Sequence, residues 1–167
     1  MNTKYCFFLF MLAFPILLNS QSAILSIKDL KSEIIKGKPT IYKFEDKRFT
    51  GMARDHYPEE GLTLEYHIED GLITRQLGWK DSGVKERDYQ YRKGVLNGTV
   101  IGYYDNGQKY FEEIYIDGLH HGIQYSWYSD GSLRTKSEQV NGFEIMRFEF
   151  TAPAGVLDPP KTLRPGC

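Results

Sequence analysis

The sequence predicts an all-β protein, an antiparallel β-meander of stacked hairpin repeats with a short capping helix at its N-terminal end. Three observations carry this prediction: a repeat, an alternation of side chains and a regular series of turn signals. The repeat is visible in glycines that return at a constant spacing, since Gly94, Gly98 and Gly107 recur as Gly118, Gly122 and Gly131. This spacing, from Gly94 to Gly118, is called the repeat period here. A fixed period indicates a structural unit that is copied along the chain.

Alternation of side chains is clearest in the last unit. One set of alternate positions holds Ile123, Tyr125 and Trp127, whereas the other set begins with polar residues. Because successive side chains of a strand point to opposite faces, this pattern predicts a half-buried strand. We expect Trp127 to face the core, together with Tyr103 and Trp79 of earlier units, and Tyr128 to face solvent.

Turn signals separate the predicted strands. The triplets DNG at 105–107 and SDG at 129–131 are typical of hairpin turns, because glycine accepts a positive φ and Asn or Asp tolerates one. The segments YIDG at 115–118 and QVNG at 139–142 supply the second turn of each unit. Each unit is therefore two antiparallel strands with two tight turns, and stacking lets neighbouring units bury a face that one hairpin cannot bury alone.

About four copies of the unit extend from Phe49 to Gly142, and the pair Tyr103–Tyr104 returns as Trp127–Tyr128. This frame of glycine, an aromatic pair, Asp or Asn with Gly, and a strand ending in Tyr-x-x-Gly resembles the variant MORN repeat. That repeat is a short β-hairpin module of bacterial proteins, many of which are labelled as antitoxin components. The resemblance implies the repeat architecture and an antitoxin-like role.

The segments beside the repeats complete the predicted fold. Residues 26–36 place Ile27, Leu30 and Ile34 on one helical face, and Gly37 ends the pattern. We expect this helix to cover the first edge of the sheet. The segment 40–44 predicts an extra strand, and 143–150 predicts a closing strand. The predicted organisation is a signal peptide at 1–22, a linker and short helix at 23–39, a variant MORN-repeat β domain at 40–150 and a Pro-rich flexible tail at 151–167.

The first residues have the order of a secretory signal: one lysine, an apolar run at 5–18, then small and polar residues. A membrane-spanning helix needs about 20 apolar residues, more than this run contains, so cleavage is favoured over an uncleaved anchor. The best cut lies between Ser22 and Ala23. The mature protein would be periplasmic, outer-surface or secreted, without a stable transmembrane span. It would keep only Cys167, so no internal disulfide could form.

Composition and charge exclude one class of partner. The 21 basic and 22 acidic residues nearly cancel, and no basic stripe appears in the sequence. Nucleic-acid binding requires clustered Lys and Arg to neutralise phosphates. We therefore expect no nucleic-acid partner.

Residues suited to catalysis or metal binding do not form a convincing set. His120 and His121 are adjacent, so their side chains should diverge and should not share one metal ion. Glu112 and Glu113 are likewise neighbours, and we expect them on the solvent face of the sheet. The sequence therefore predicts no catalytic residue, no metal and no cofactor.

Exposed tyrosines are the candidate binding surface. If Trp127 faces the core, Tyr128 and its counterpart Tyr104 face outward, with Tyr110 close by, and such a row suits a partner protein or glycan. The favoured function is an exported, non-enzymatic module that binds an unknown protein or envelope component. Two alternatives stay open: a toxin-neutralising partner, and an enzyme whose site contains the remaining polar cluster, Asp55, His56 and Glu65.

Overall fold

A computed structural model describes residues 24–154, and within this range almost all of the regular secondary structure is β-strand. After a single 3-10 turn at Ile27–Asp29, thirteen strands follow. In chain order they are β1 Lys31–Glu33, β2 Ile41–Phe44, β3 Lys47–Arg48, β4 Gly51–Tyr57, β5 Leu62–Glu69, β6 Leu72–Lys80, β7 Lys85–Arg92, β8 Val95–Tyr103, β9 Lys109–Ile116, β10 Leu119–His120, β11 Gly122–Trp127, β12 Leu133–Val140 and β13 Phe143–Glu149.

The strands form two sheets. The small sheet has the order β1-β2-β3, and the large ten-stranded sheet has the order β13-β12-β11-β9-β8-β7-β6-β5-β4, with β10 also paired to β9. Within each sheet, strands that follow one another in the chain pair antiparallel, except that β11 pairs with β9 rather than with the short β10, so the predicted all-β meander is confirmed. No helix among the described residues is long and apolar enough to cross a lipid bilayer.

Both kinds of predicted turn are present. Gly131 has a φ of 86°, and its N–H donates to the carbonyl of Tyr128 over 2.9 Å. At the other end of the strands, the N–H of Gly118 donates to Leu96 over 2.9 Å. The N–H of Gly142 repeats that bond to His120 over 2.8 Å. The glycine turns at this end are therefore bonded to the preceding hairpin, which connects neighbouring units.

The predicted helix at 26–36 is wrong. Only Ile27–Asp29 is helical, capped by Ser26, whose hydroxyl accepts from the N–H of Lys28. The chain then enters β1, because pairing with β2 satisfies its backbone groups and leaves the side chain of Ile34 exposed. The strand predicted at 40–44 is confirmed as β2, although it belongs to the small sheet. The closing strand predicted at 143–150 is confirmed as β13. The predicted signal peptide at 1–22, and the tail beyond residue 154, lie outside the described residues.

Regular bulges repeat along the large sheet. The pairing register shifts after Gly78, after Gly102 and after Ser126, so that successive shifts are one repeat period apart. Each shift leaves one extra residue on the following strand. In β9 this lets two consecutive side chains, Tyr110 and Phe111, turn to the same side and become buried. The bulge is thus part of the repeated unit, and it interrupts simple alternation.

One face of the large sheet, here called the core face, carries most of the buried apolar side chains. Its central cluster comprises Tyr89, Val100, Tyr110, Phe111 and Tyr115. A second cluster near the N-terminal end joins Leu30, Ala53 and Ile68. Aromatic rings of the central cluster contact edge to face, with the centroids of Tyr110 and Phe111 5.3 Å apart.

The predicted assignment of faces is inverted in the last unit. Register places Ser126 opposite Phe111, a nearly fully buried residue, so Gln124 and Ser126 lie on the core face and are buried. The residues predicted to face the core are instead half-buried on the opposite face: Ile123, Tyr125, Trp127, Tyr103 and Trp79. Alternation within β11 separates the two faces, but only its pairing with β9 decides which face is covered.

Candidate functional site

A row of alternating aromatic and lysine side chains crosses the face opposite the core face. This aromatic–lysine row comprises Trp79, Lys85, Tyr103, Lys109 and Trp127. Trp79 is paired with Lys85, and Tyr103 with Lys109. The ammonium of Lys85 lies 5.9 Å from the ring centroid of Tyr103, and that of Lys109 lies 5.8 Å from Trp127. The row therefore continues without a gap over five neighbouring strands, β6 to β9 and β11.

The repeated bulge explains how the sequence builds this row. Gly78, Gly102 and Ser126 face the core, where space is short: a Cβ added to Gly102 would lie 2.4 Å from the ring of Phe111. The aromatic residue that follows each of them turns to the opposite face. Since neighbouring strands are about 4.8 Å apart, rings on alternate strands recur at roughly 10 Å. A small residue followed by an aromatic one, once in every repeat period, is the sequence signal that could have revealed the row.

Tyr125 widens the row at its C-terminal end. Its ring stacks on Trp127 with the centroids 5.7 Å apart and the planes at 25°. The ammonium of Lys136 lies 6.0 Å from the centroid of Tyr125, which adds a third cation–π contact to the surface. The side chains of Tyr103, Tyr125 and Trp127 are half-buried, so their rings are held in place yet remain accessible.

Charges beside the row are largely compensated. Asp88 accepts two hydrogen bonds from Arg75, at 2.8 and 2.7 Å, and a longer one of 3.4 Å from Lys85. Burial by itself would raise the pKa of Asp88, but the contacts with Arg75 and Lys85 outweigh it and hold the pKa below its usual value. Lys109 is ion-paired with Glu112. The surface thus offers aromatic area bordered by polar groups, which is the composition of a protein-binding patch.

The predicted tyrosine platform is not exposed. Tyr128 retains only 6% of its accessible surface and Tyr110 only 5%. Tyr104 packs on Tyr110 with ring centroids 5.2 Å apart, and its hydroxyl donates to the carbonyl of Trp127 over 2.8 Å. The error has one cause: the outward direction assigned to Tyr128 depended on Trp127 facing the core.

A buried polar network was missed by the sequence reasoning. Glu113, predicted on the solvent face, lies on the core face and accepts hydrogen bonds from the hydroxyl of Tyr115 over 3.0 Å and from Nε2 of His120 over 3.1 Å. Gln124 accepts from the N–H of Ile114 over 2.7 Å and donates to the carbonyl of His121 over 2.9 Å. In the preceding unit the position of Gln124 is apolar, because Val100 lies one repeat period before it.

The network encloses a small cavity. Its volume is about 50 Å³, and its lining includes Glu113, His120, Gln124, Ser126, Ser137 and Arg147. Ligand pockets for organic molecules have volumes of roughly 300–1,000 Å³, whereas one water takes about 30 Å³ of liquid. The space therefore suits ordered water, and the hydroxyl of Ser126 is bonded to that of Thr135 over 2.6 Å rather than to a base. We interpret this polar network as internal structure.

The two histidines have different surroundings. The ring of His120 lies on Tyr115 with centroids 4.4 Å apart and contacts Glu113. His121 has a buried Nδ1 without a hydrogen-bond partner. Between residues 24 and 154 no three His, Cys, Asp or Glu side chains are placed to hold one metal ion.

The alternative polar cluster Asp55, His56 and Glu65 does not converge. Asp55 lies in β4 on the core face, where its carboxylate accepts a hydrogen bond from the hydroxyl of Ser26 over 2.8 Å. Glu65 lies on the other face, where it contacts Arg54 and His67. Burial alone would raise the pKa of Glu65, but the hydrogen bonds from Arg54 and His67 outweigh it and lower the pKa. A carboxylic acid that acts as a general acid needs a raised pKa, whereas the pKa of Glu65 is lowered.

Comparison with known proteins does not assign the chain to a family. No protein-family model matches it. No curated protein matches it either. The resemblance to variant MORN repeats, and the antitoxin-like role that it implies, therefore stay predictions.

Proposed function

We propose that this protein is an exported, non-enzymatic β-repeat module that binds a partner protein through the aromatic–lysine row. One observation carries the proposal: half-buried rings recur on alternate strands of one face, and lysine ammonium groups contact the rings of Tyr103 and Trp127. Rings held by a regular sheet lose little conformational entropy when they are covered, which is why Trp and Tyr dominate the energetics of protein interfaces.

The charge pattern supports a protein partner rather than a polyanion. Lys109 is paired with Glu112, and Asp88 lies between Lys85 and Arg75, so carboxylates offset part of the positive charge of the row. A nucleic acid or an anionic polymer would be attracted by uncompensated lysines. A protein surface needs aromatic area with a polar border, which the row provides.

The carboxyl groups of Glu65 and Asp88 do not suit general-acid catalysis. The buried carboxylates Glu65 and Asp88 both have lowered pKa values, since arginines contact them. Lowered values keep these carboxylates charged at neutral pH and unable to donate a proton. The repeat frame, which resembles variant MORN repeats, also supports the proposal, because repeat proteins present extended binding surfaces.

Site-specific photo-crosslinking in the native host tests the surface. A photoreactive residue replaces Tyr103 in one version and Lys93, in a turn away from the row, in the control. We expect a discrete adduct with one envelope protein at position 103 and none at 93. In the version labelled at 103, Trp127→Ser should abolish the adduct while the melting temperature changes by only a few degrees. Identical adducts at both positions, or an adduct that survives Trp127→Ser, would contradict the proposed surface.

Export is tested separately. The N-terminal residue of protein purified from the native host should lie between Gln21 and Ile24, because signal peptidases cut after small side chains such as Ser20 and Ser22. Intact Met1 recovered from the membrane fraction would show an anchored protein instead.

A further inference from the structure

Among residues 24–154, no strand pairs with the outer edge of β13, the last strand of the large sheet, and four of its seven residues are apolar. All seven residues of β13 are exposed, and Phe143, Ile145 and Phe148 retain 76%, 60% and 50% of their accessible surface. Long hydrophobic edges invite pairing with another strand, so proteins usually cover or charge them. At the opposite edge, β4 is paired at one position, where Leu25 bridges to Ala53 and the N–H of Arg54 donates to the carbonyl of Leu25 over 2.8 Å.

The hydrogen-bonding phase of β13 shows which backbone groups are available. The N–H of Phe150 donates to the carbonyl of Arg134 in β12 over 2.9 Å, and Phe148 pairs with Lys136 of the same strand. Alternate residues of an antiparallel strand direct their N–H and C=O groups to opposite sides. The backbone groups of Arg147 and Glu149 are therefore directed away from β12, toward the open edge.

Residues 146–150 complement themselves when two copies run antiparallel about Phe148, and Ile145 and Phe143 then extend beyond this segment, opposite Thr151 and Pro153. This register places Arg147 of one copy opposite Glu149 of the other, twice, and pairs the outward backbone groups of these residues. Phe148 then lies opposite its own counterpart, and Met146 lies opposite Phe150, so apolar side chains meet on the other face. A register centred on Met146 is inferior, because it sets Glu144 opposite Phe148.

We propose that β13 is a homodimer interface at which two copies of the chain pair antiparallel about Phe148. The dimer joins the two ten-stranded sheets into one continuous sheet. Arg147 is ion-paired with Glu144 and lies 3.7 Å from Glu149 of its own chain, and this register adds Glu149 of the other copy to the same charged group. The cross-strand apolar pairs add burial. The interface lies on the edge strand, where Phe148 is paired with Lys136 beside the C-terminal end of the aromatic–lysine row, and its argument does not depend on that row.

Sedimentation equilibrium of the intact purified protein under reducing conditions tests the dimer, since the reductant prevents any bridge through Cys167. We expect a concentration-dependent dimer. Phe148→Lys places two like charges at the symmetry axis and should weaken the dimer at least a hundredfold. The matched control is Ile34→Lys, another exposed apolar residue outside the large sheet, which should leave the dissociation constant unchanged. Circular dichroism and melting temperature establish that both variants are folded.

A charge exchange tests the register itself. Glu149→Arg should weaken the dimer, because it sets two arginines opposite each other, and adding Arg147→Glu should restore it. Three results would overturn the proposal: a wild type that stays monomeric over the whole concentration range, an unchanged dissociation constant in Phe148→Lys, or failure of the double variant to recover dimerisation.

Discussion

Tyr104 and Tyr128 occupy the same place in successive units, and the hydroxyl of each forms a hydrogen bond to a backbone carbonyl further along the chain. The hydroxyl of Tyr104 donates to the carbonyl of Trp127 over 2.8 Å, and that of Tyr128 donates to Phe150 over 3.0 Å. Trp127 lies in β11 of the following hairpin, and Phe150 lies directly after β13, the strand that follows β12. A buried ring with a satisfied hydroxyl contributes packing and a hydrogen bond together, which gives these tyrosines a structural role.

A first prediction separates the two faces of the last unit. Tyr128→Ala should lower the free energy of unfolding by about 3–5 kcal/mol, as expected for a truncated buried aromatic residue. Tyr128→Phe should cost only about 1 kcal/mol, the contribution of one hydrogen bond. Tyr125→Ala is the matched control, because Tyr125 is the same residue type on the opposite face and is half-buried. Equal losses at 125 and 128 in urea unfolding would show that both faces are buried alike.

Turns and bulges define the elements of this protein. The tight turns were predictable because glycine next to Asn or Asp is a local signal, and the structure gives Asn141 and Gly142 φ values of 51° and 82°. The bulges were not predicted, because they are features of the pairing between strands, as at Gly102, which lies against the ring of Phe111 in the next strand. Local chemistry thus placed the strand ends, whereas contacts between strands set the register.

A second prediction concerns the turn at Gly131. Gly131→Val should cost roughly 1–3 kcal/mol, since a β-branched residue is strained at a φ of 86°. Gly107→Val tests the same turn one unit earlier, where φ is 82° and an added Cβ meets open space, so it isolates the backbone strain. Glu138→Val is the control, because it introduces the same β-branched residue within strand β12. It should change the free energy of unfolding by less than about 0.5 kcal/mol. A Gly131→Val protein that melts like the parent would refute the turn geometry.

A third prediction concerns acid stability of the pair of strands β6 and β7. Because the folded pKa of Asp88 is lowered, the carboxylate stabilises the fold at pH values above its unfolded pKa of about 3.9, and this contribution is lost as pH falls through the lower folded pKa. Asp88→Asn should therefore reduce the melting temperature at neutral pH and flatten its decline in acid. Glu59→Gln, at an exposed site, is the control. Parallel acid profiles for Asp88→Asn and wild type would exclude this linkage.

At the scale of the whole molecule, the fold is a one-dimensional stack. Each hairpin contacts mainly its neighbours, and the same bulge and glycine bond return with every repeat period. Stability in such an array is approximately a sum of unit and interface contributions. Within residues 24–154, Leu25 bridges to the β4 edge of the large sheet whereas no strand pairs with the β13 edge, so association is expected at β13.

A fourth prediction tests the stack directly. Duplicating the segment 79–102 immediately after Gly102 adds one complete repeat period and repeats the small-to-aromatic junction. The longer protein should unfold cooperatively, with a urea m value that rises roughly in proportion to the added buried surface. Inserting only the segment 79–90 is the control, because half a period reverses strand direction and should abolish cooperative unfolding. If both insertions behave alike, the period is not the folding unit.

The sequence by itself determined the all-β class, the repeat period, the tight turns and the closing strand, because glycine conformation and alternation are properties of neighbouring residues. Tertiary structure alone decided which face is covered: Phe111 lies opposite Ser126 across β9 and β11, and this places the aromatic–lysine row outside. The segment 26–36, predicted as a helix, instead forms a 3-10 turn and strand β1, because β1 pairs with β2. Pairing partners are distant in sequence, so no local pattern contains them.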